Sequence, residues 1–194
     1  MNGQNRHIHK KISRYALKLF FGFDRWHVTP LQERPYAMDV VAYCNRLHNR
    51  KYFVEIGCGL GDLVRHVHFD SRVGYDQDLN AIRAARFLSK LERQKRTQFK
   101  LFRFPDSSLV DRACVIVMVN WIHHIDPDLL GIQIRKYFTE NLEPGGAIII
   151  DTVQDAAYKF NHNVKELTES LCCTVERIGS YERERELWSI IKTT

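Results

Sequence analysis

The sequence predicts an α/β fold: a doubly wound, mostly parallel sheet of seven strands, the last one reversed. Three observations predict it. From residue 52 onward, short apolar runs alternate with stretches of helical spacing, the pattern of parallel strands joined by right-handed crossover helices. Three glycines, Gly57, Gly59 and Gly61, fall between the first apolar run and the first helical stretch. The last two apolar runs, 173–181 and 186–193, lie only a few residues apart. That leaves no room for a crossover, so they pair antiparallel.

Taken in order, "YFVEIG" (52–57) reads as a buried strand, and a helix follows from Asp62 to His68. "RVGYD" (72–76) is the second strand. The stretch 79–95 carries Ile82, Ala85, Leu88 and Leu91 at helical spacing. "QFKLFRF" (98–104) alternates as a strand does, and "ACVIVMVN" (113–120), apolar throughout, belongs at the centre of a parallel sheet. Residues 127–142 form a helix that stops before the turn signal "EPGG". The strand "AIIIDTV" (147–153), a helix near 161–171 and the two closing strands complete the set. The arrangement is Rossmann-like, with helices on both faces of the sheet. Residues 1–50 contain no clear strand and are expected to be a helical N-terminal extension to the sheet domain, 51–194.

Composition narrows the class. The chain has 194 residues, 44% hydrophobic and 27% charged, enough for one globular domain with a substantial core. No apolar run approaches the roughly 18–20 residues that span a bilayer, and the short cluster "ALKLFFGF" lacks a signal-peptide pattern. Cys44, Cys58, Cys114, Cys172 and Cys173 show no zinc-ligand spacing. Reduced thiols in a cytoplasmic protein without a metal are the expectation. The net charge of +6 is concentrated in residues 1–26 and 83–103. It reads either as solvated helix faces or as attraction to an acidic partner such as RNA.

Glycines at the first strand-to-helix turn let a ligand lie against bare backbone, and the N–H groups there favour an anionic group. Asp76 closes the second strand 19 residues after Gly57, where an acid can accept from ribose hydroxyls. A nucleoside-containing ligand is therefore expected. A dinucleotide fingerprint needs glycine three residues after Gly59, but that position is Asp62.

"EIGCGLG" instead resembles the first motif of the class I S-adenosylmethionine-dependent methyltransferases, an acid followed by three alternating glycines. "GYDQD" is similar to their second motif, "VNWIHHIDP" to the segment after their fourth strand and "LEPGGAIII" to the lead into their fifth. The reversed seventh strand agrees. The resemblance implies S-adenosyl-L-methionine as cofactor. Gly57, Gly59 and Gly61 would flank its methionine part, with Cys58 filling the motif. Glu55 would lie near its ammonium group, Asp76 would bind the ribose, and Gln77 would touch the adenine edge. One departure stands out: Arg103 and Phe104 occupy the place where many members carry an acid for the adenine amino group. Either Asp106 substitutes, or the adenine stacks on Phe104.

The same resemblance puts Asn120, Trp121, His123 and His124 beside the transferred methyl. A hydroxyl acceptor needs a base with pKa near 7, which His123 or His124 would supply; the alternative is that the pair merely starts a helix with one ring in the core. Trp121 lines the cofactor pocket or packs. "NWI" lacks the proline pair of many amino-group methyltransferases. Trp26, His27, Arg34 and Tyr36 cluster in the segment that often lids the cofactor and shapes the acceptor pocket, with His27 and Tyr36 as secondary bases. A small-molecule or glycan acceptor is expected; the rivals are RNA as acceptor, or a cofactor-binding partner subunit without its own catalysis. In residues 7–23, Ile8, Ile12, Tyr15 and Leu19 recur at helical spacing among lysines and arginines. Such a helix suits either a packed lid or peripheral membrane contact.

Overall fold

The computed structural model describes residues 14–193; residues 7–13 of the basic amphipathic stretch lie outside them. Seven strands form one sheet in the order β3-β2-β1-β4-β5-β7-β6. They are β1 (Tyr52–Ile56), β2 (Ser71–Asp76), β3 (Thr97–Leu101), β4 (Ala113–Met118), β5 (Leu142–Thr152), β6 (Cys173–Tyr181) and β7 (Arg185–Lys192). Strands β1 to β5 pair parallel, whereas β7 is antiparallel to both β5 and β6. Only β7 runs against the rest.

The helices are α1 (14–21), α2 (Pro35–Arg46), α3 (Asp62–His66), α4 (Leu79–Leu91), α5 (Pro127–Lys136) and α6 (Val164–Thr168). They cover both faces because strand side chains alternate. Phe53, Val115, Val117 and Ile149 point to the face packed by α2, α3 and α4. Val54, Ile116, Ile148 and Ile150 point to the face packed by α5 and α6. Strand β4 is buried at every position, as its unbroken apolar run predicts.

Several boundaries differ from expectation. Helix α3 stops at His66, because Val67 is extended. Helix α4 ends at Leu91, and Arg93 and Arg96 then take positive φ values of 54° and 61°. Strand β3 ends at Leu101, before the bonded Phe102 and the cis Phe104–Pro105 peptide. "LEPGG" is not a turn before β5 but its beginning, where a register shift opposite Ala113 and Val115 absorbs the extra residues. The tail helix is only Val164–Thr168, capped by the Asn163 side chain. Within the expected extension, Pro35 opens α2 at a position that needs no N–H. Ala37, Val40, Tyr43 and Cys44 of α2 are then buried in the main core, and the Tyr43 hydroxyl bonds Ser189 on β7.

Candidate active site

Parallel strands bring their carboxyl ends to one edge of the sheet, where ligands of doubly wound folds bind. There Gly57 and Gly59 adopt left-handed φ values of 80° and 51°. Their missing side chains make room for protein rings. A Cβ on Gly59 would lie 2.5 Å from Nδ1 of His27, and one on Gly57 would run into the indole of Trp121. Gly61 has another reason to lack a side chain, since the Phe99 ring from β3 fills that space. It is a packing glycine.

The turn is held from below by backbone and by one acid. Gly57 and Cys58 both donate to the Tyr75 carbonyl at 2.8 and 2.9 Å. Asp76 is 7% exposed; one oxygen accepts from the Gly59 N–H at 2.6 Å and the other from the Asp78 N–H at 2.9 Å. The carboxylate therefore stands at the rim of the turn with lone pairs left over. Gln77, next along, is exposed.

Glu55 is buried, and its carboxylate accepts from the Val64 N–H at 3.3 Å in the first turn of α3. Burial pushes its pKa well up, against the pull of Arg34. Cys58 is buried too, and burial followed by the charges of Glu55 and Asp76 holds its thiol well above the ordinary range. Such a thiol is no nucleophile.

A cluster that no sequence motif signals sits beside the turn. Asp62 receives a bidentate pair from Arg14 at 2.9 and 2.6 Å, a bond from Arg34 at 2.5 Å and another from Arg65 at 2.8 Å. Burial raises its pKa, but the three guanidiniums outweigh that and leave it at about 2. Arg14 also donates to the carbonyls of His27 and Thr29. The segment 14–34 is thus clasped over the glycine turn. Both cationic partners from the extension are 28 and 48 residues away from Asp62 in sequence, so spacing could not reveal the set.

The end of β4 supplies the next wall. Asn120 has φ 69° and donates its backbone N–H to Asp151 at 2.7 Å. The Trp121 indole N–H donates to the Ile56 carbonyl at 2.7 Å, while its ring meets Phe104 edge-on at 5.1 Å. Phe104 is half-buried and Asp106 exposed. Asp151 forms a buried ion pair with Arg185 of β7, and Arg185 stacks over the Tyr36 ring at 4.5 Å. Burial raises the Asp151 pKa, with Arg185 opposing, and burial likewise raises that of Tyr36.

The two histidines part company. His123 is 3% exposed, its ring lies 3.9 Å from that of Tyr158, and its Nδ1 has no hydrogen-bond partner. Burial, then the charges of His124, Arg185 and His162, push its pKa down to about 4. His124 is exposed. In the N-terminal segment, Trp26 points to solvent at 86% exposure rather than lining a pocket. His27 covers Gly59, Arg34 is bound to Asp62 and Tyr36 to Arg185. Among the described residues, no His, Cys, Asp and Glu side chains are grouped to hold a metal ion.

His123 gives a pH test. Its folded pKa lies below the ordinary value of 6.5, so between these limits the unfolded chain binds the additional proton and stability rises with pH. His123→Phe is expected to flatten the stability profile between about pH 6.5 and pH 4. Urea unfolding at a series of pH values measures it, and an unchanged slope would mean the ring titrates normally.

This fold is that of the class I S-adenosylmethionine-dependent methyltransferases. The N-methyltransferase NodS from Bradyrhizobium japonicum WM9, in complex with S-adenosyl-L-homocysteine, aligns with a TM-score of 0.71 and 17% identity, over 92% of this chain and 97% of that one. Magnesium protoporphyrin IX methyltransferase (ChlM) from Synechocystis PCC 6803, with the same ligand bound, aligns at 0.65 and 10% identity, over 81% and 82%. Streptomyces venezuelae DesVI aligns at 0.64 and 13% identity, over 84% and 94%. No protein-family model and no curated protein sequence matches the chain.

Proposed function

We propose that this protein is an S-adenosylmethionine-dependent methyltransferase whose acceptor is a small molecule or glycan presenting a hydroxyl. The observation that carries the reading is the clasp of Asp76 onto the Gly59 N–H. It sets a buried carboxylate beside left-handed glycine backbone at the carboxyl edge of a parallel sheet. The residues present fit the cofactor. Asp76 keeps lone pairs for vicinal hydroxyls, Glu55 lies beneath the turn, and Trp121 and Phe104 offer aromatic faces to a flat base and a cationic sulfur. For a ligand to lie on Gly57 and Gly59, the rings of Trp121 and His27 must shift from the positions they hold here.

When bound, the cofactor supplies an electrophilic methyl group. The chain's own part is to hold an acceptor oxygen about 3 Å from that carbon and to take its proton. Tyr36, Arg185 and Trp121 wall the space in which the acceptor is oriented, and the exposed His124 receives the hydroxyl proton. His123, buried behind it and neutral, fixes the local packing.

Calorimetry should detect binding of S-adenosylhomocysteine. Asp76→Ala should weaken it by about 1–3 kcal/mol, the cost of leaving hydroxyls without a charged acceptor. With labelled cofactor and a panel of hydroxylated metabolites and glycans, His124→Ala should lower turnover by roughly two orders of magnitude with cofactor affinity intact. Tight binding of NAD with none of S-adenosylhomocysteine would overturn the assignment. Transfer to RNA alone, weakening steeply with salt, would replace the acceptor.

A further inference from the structure

Helix α1 is apolar on both its inward and its outward side. A surface helix ordinarily turns its polar side to water. The inward side here is Arg14, Leu17 and Phe21, with Leu17 and Phe21 packed on Phe23, Ala81 and Ala84. The outward side is Tyr15, Ala16, Leu19 and Phe20, with Leu19 88% and Phe20 82% exposed. The apolar surface continues past α1. Phe20 meets Phe21 edge-on at 4.9 Å, and Phe21 meets Phe87 of α4 at 5.7 Å. Phe87 begins an exposed pair with Leu91, one turn further along. Trp26, in the 3-10 turn that follows α1, stands almost free of the protein.

Cations frame these side chains. Residues 14–26 and 79–91 together hold Arg14, Lys18, Arg25, Arg83, Arg86 and Lys90 against one acid, Asp24. Arg14 is bound to Asp62 and Arg86 to the Phe99 carbonyl, which leaves Lys18, Arg25, Arg83 and Lys90 around the apolar surface. Protruding leucine and aromatic side chains ringed by lysine and arginine are what interfacial segments present to a membrane. Large contiguous exposed apolar patches mark interaction sites. Among the described residues no helix is long and apolar enough to cross a bilayer; the feature lies on a surface.

We propose that the outward side of α1, Trp26 and the Phe87–Leu91 stripe of α4 form a docking face for an anionic lipid surface. Leu19, Phe20 and Trp26 enter the acyl boundary, while Lys18, Arg25, Arg83 and Lys90 meet the headgroups. This assignment is independent of methyl transfer.

The test is co-sedimentation of the full chain with phosphatidylglycerol-containing vesicles and with pure phosphatidylcholine vesicles. Binding is expected to the first and not the second, with quenching of Trp26 fluorescence by brominated acyl chains, read as the difference from Trp26→Phe. Leu19→Ser with Phe20→Ser should reduce partitioning by roughly tenfold or more. Lys18→Ser and Arg83→Ser should each reduce it about fivefold. Leu19, Phe20 and Arg83 are exposed and Lys18 is half-buried, so melting temperature and S-adenosylhomocysteine affinity should be unchanged in all of them. No vesicle binding by the unaltered chain, or binding indifferent to these substitutions, overturns the proposal. So does light scattering that shows a dimer, dissociated by the Leu19/Phe20 pair, in a chain that ignores vesicles: the face would then join two copies.

Discussion

Asp62→Ala is expected to cost about 3–5 kcal/mol of folding stability, the range found when one partner is removed from a buried ion pair. The Asp62 side chain is 6% exposed and Arg65 only 2%, so neither is rescued by water. Removing the carboxylate leaves Arg14, Arg34 and Arg65 converging on an empty place. Arg65 retains Glu92, but Arg14 loses both side-chain bonds that hold α1 to the sheet domain. Asp62→Asn should fall short of full rescue, because the amide offers one acceptor oxygen and no charge. The sign of the pH dependence follows from a folded pKa near 2, depressed from an ordinary carboxyl. The contribution is complete above the unfolded value near 4 and disappears as pH falls through about 2. Urea unfolding at neutral pH measures the loss, and limited proteolysis should cut the variant first between α1 and α2. A loss under about 1 kcal/mol with unchanged cleavage would mean that the three arginines are held elsewhere.

That cluster marks where the sequence stops being legible. All seven strands can be read because their side chains obey local rules: β4 is apolar at every position, and β7 follows β6 too closely for a crossover. The glycine turn and Asp76 are legible for the same reason, since left-handed backbone and a fixed spacing leave a pattern in the chain. The insertion of β7 between β5 and β6 is not local. Nor is the meeting of Arg14, Arg34 and Asp62, whose residue types look like ordinary surface charge until the chain folds. The early start of β5 was hidden because "EPGG" reads as a turn, whereas Gly145, at φ 71°, takes up a bulge within the strand. His123 and His124 are adjacent and identical, so only the packing of Tyr158 and His162 separates the buried ring from the exposed one. Gly61 belongs to the motif in sequence and to the core in space, because Phe99 from β3 occupies its side-chain position.

Gly59→Val is expected to weaken S-adenosylhomocysteine binding by roughly a hundredfold or more. Two separate causes must be told apart. A β-branched residue at φ 51° carries backbone strain of about 1–2 kcal/mol, and its side chain would strike the His27 ring, which lies 2.5 Å from the Cβ position. Either could disturb the turn before any ligand arrives. The double variant His27→Ala, Gly59→Ala separates them, because it removes the collision with the ring and keeps only the backbone strain. It should lose no more than about 1–2 kcal/mol in urea yet still fail to bind S-adenosylhomocysteine, since the methyl would occupy the backbone face on which the ligand is proposed to lie. Gly131→Ala is the control: nothing lies within 4 Å of its Cβ position, its place in α5 favours alanine, and binding should be untouched. Calorimetry on the three proteins decides the matter. If the double variant binds S-adenosylhomocysteine as the unaltered chain does, Gly59 is a glycine only to admit His27, and the cofactor's seat must be sought away from the turn.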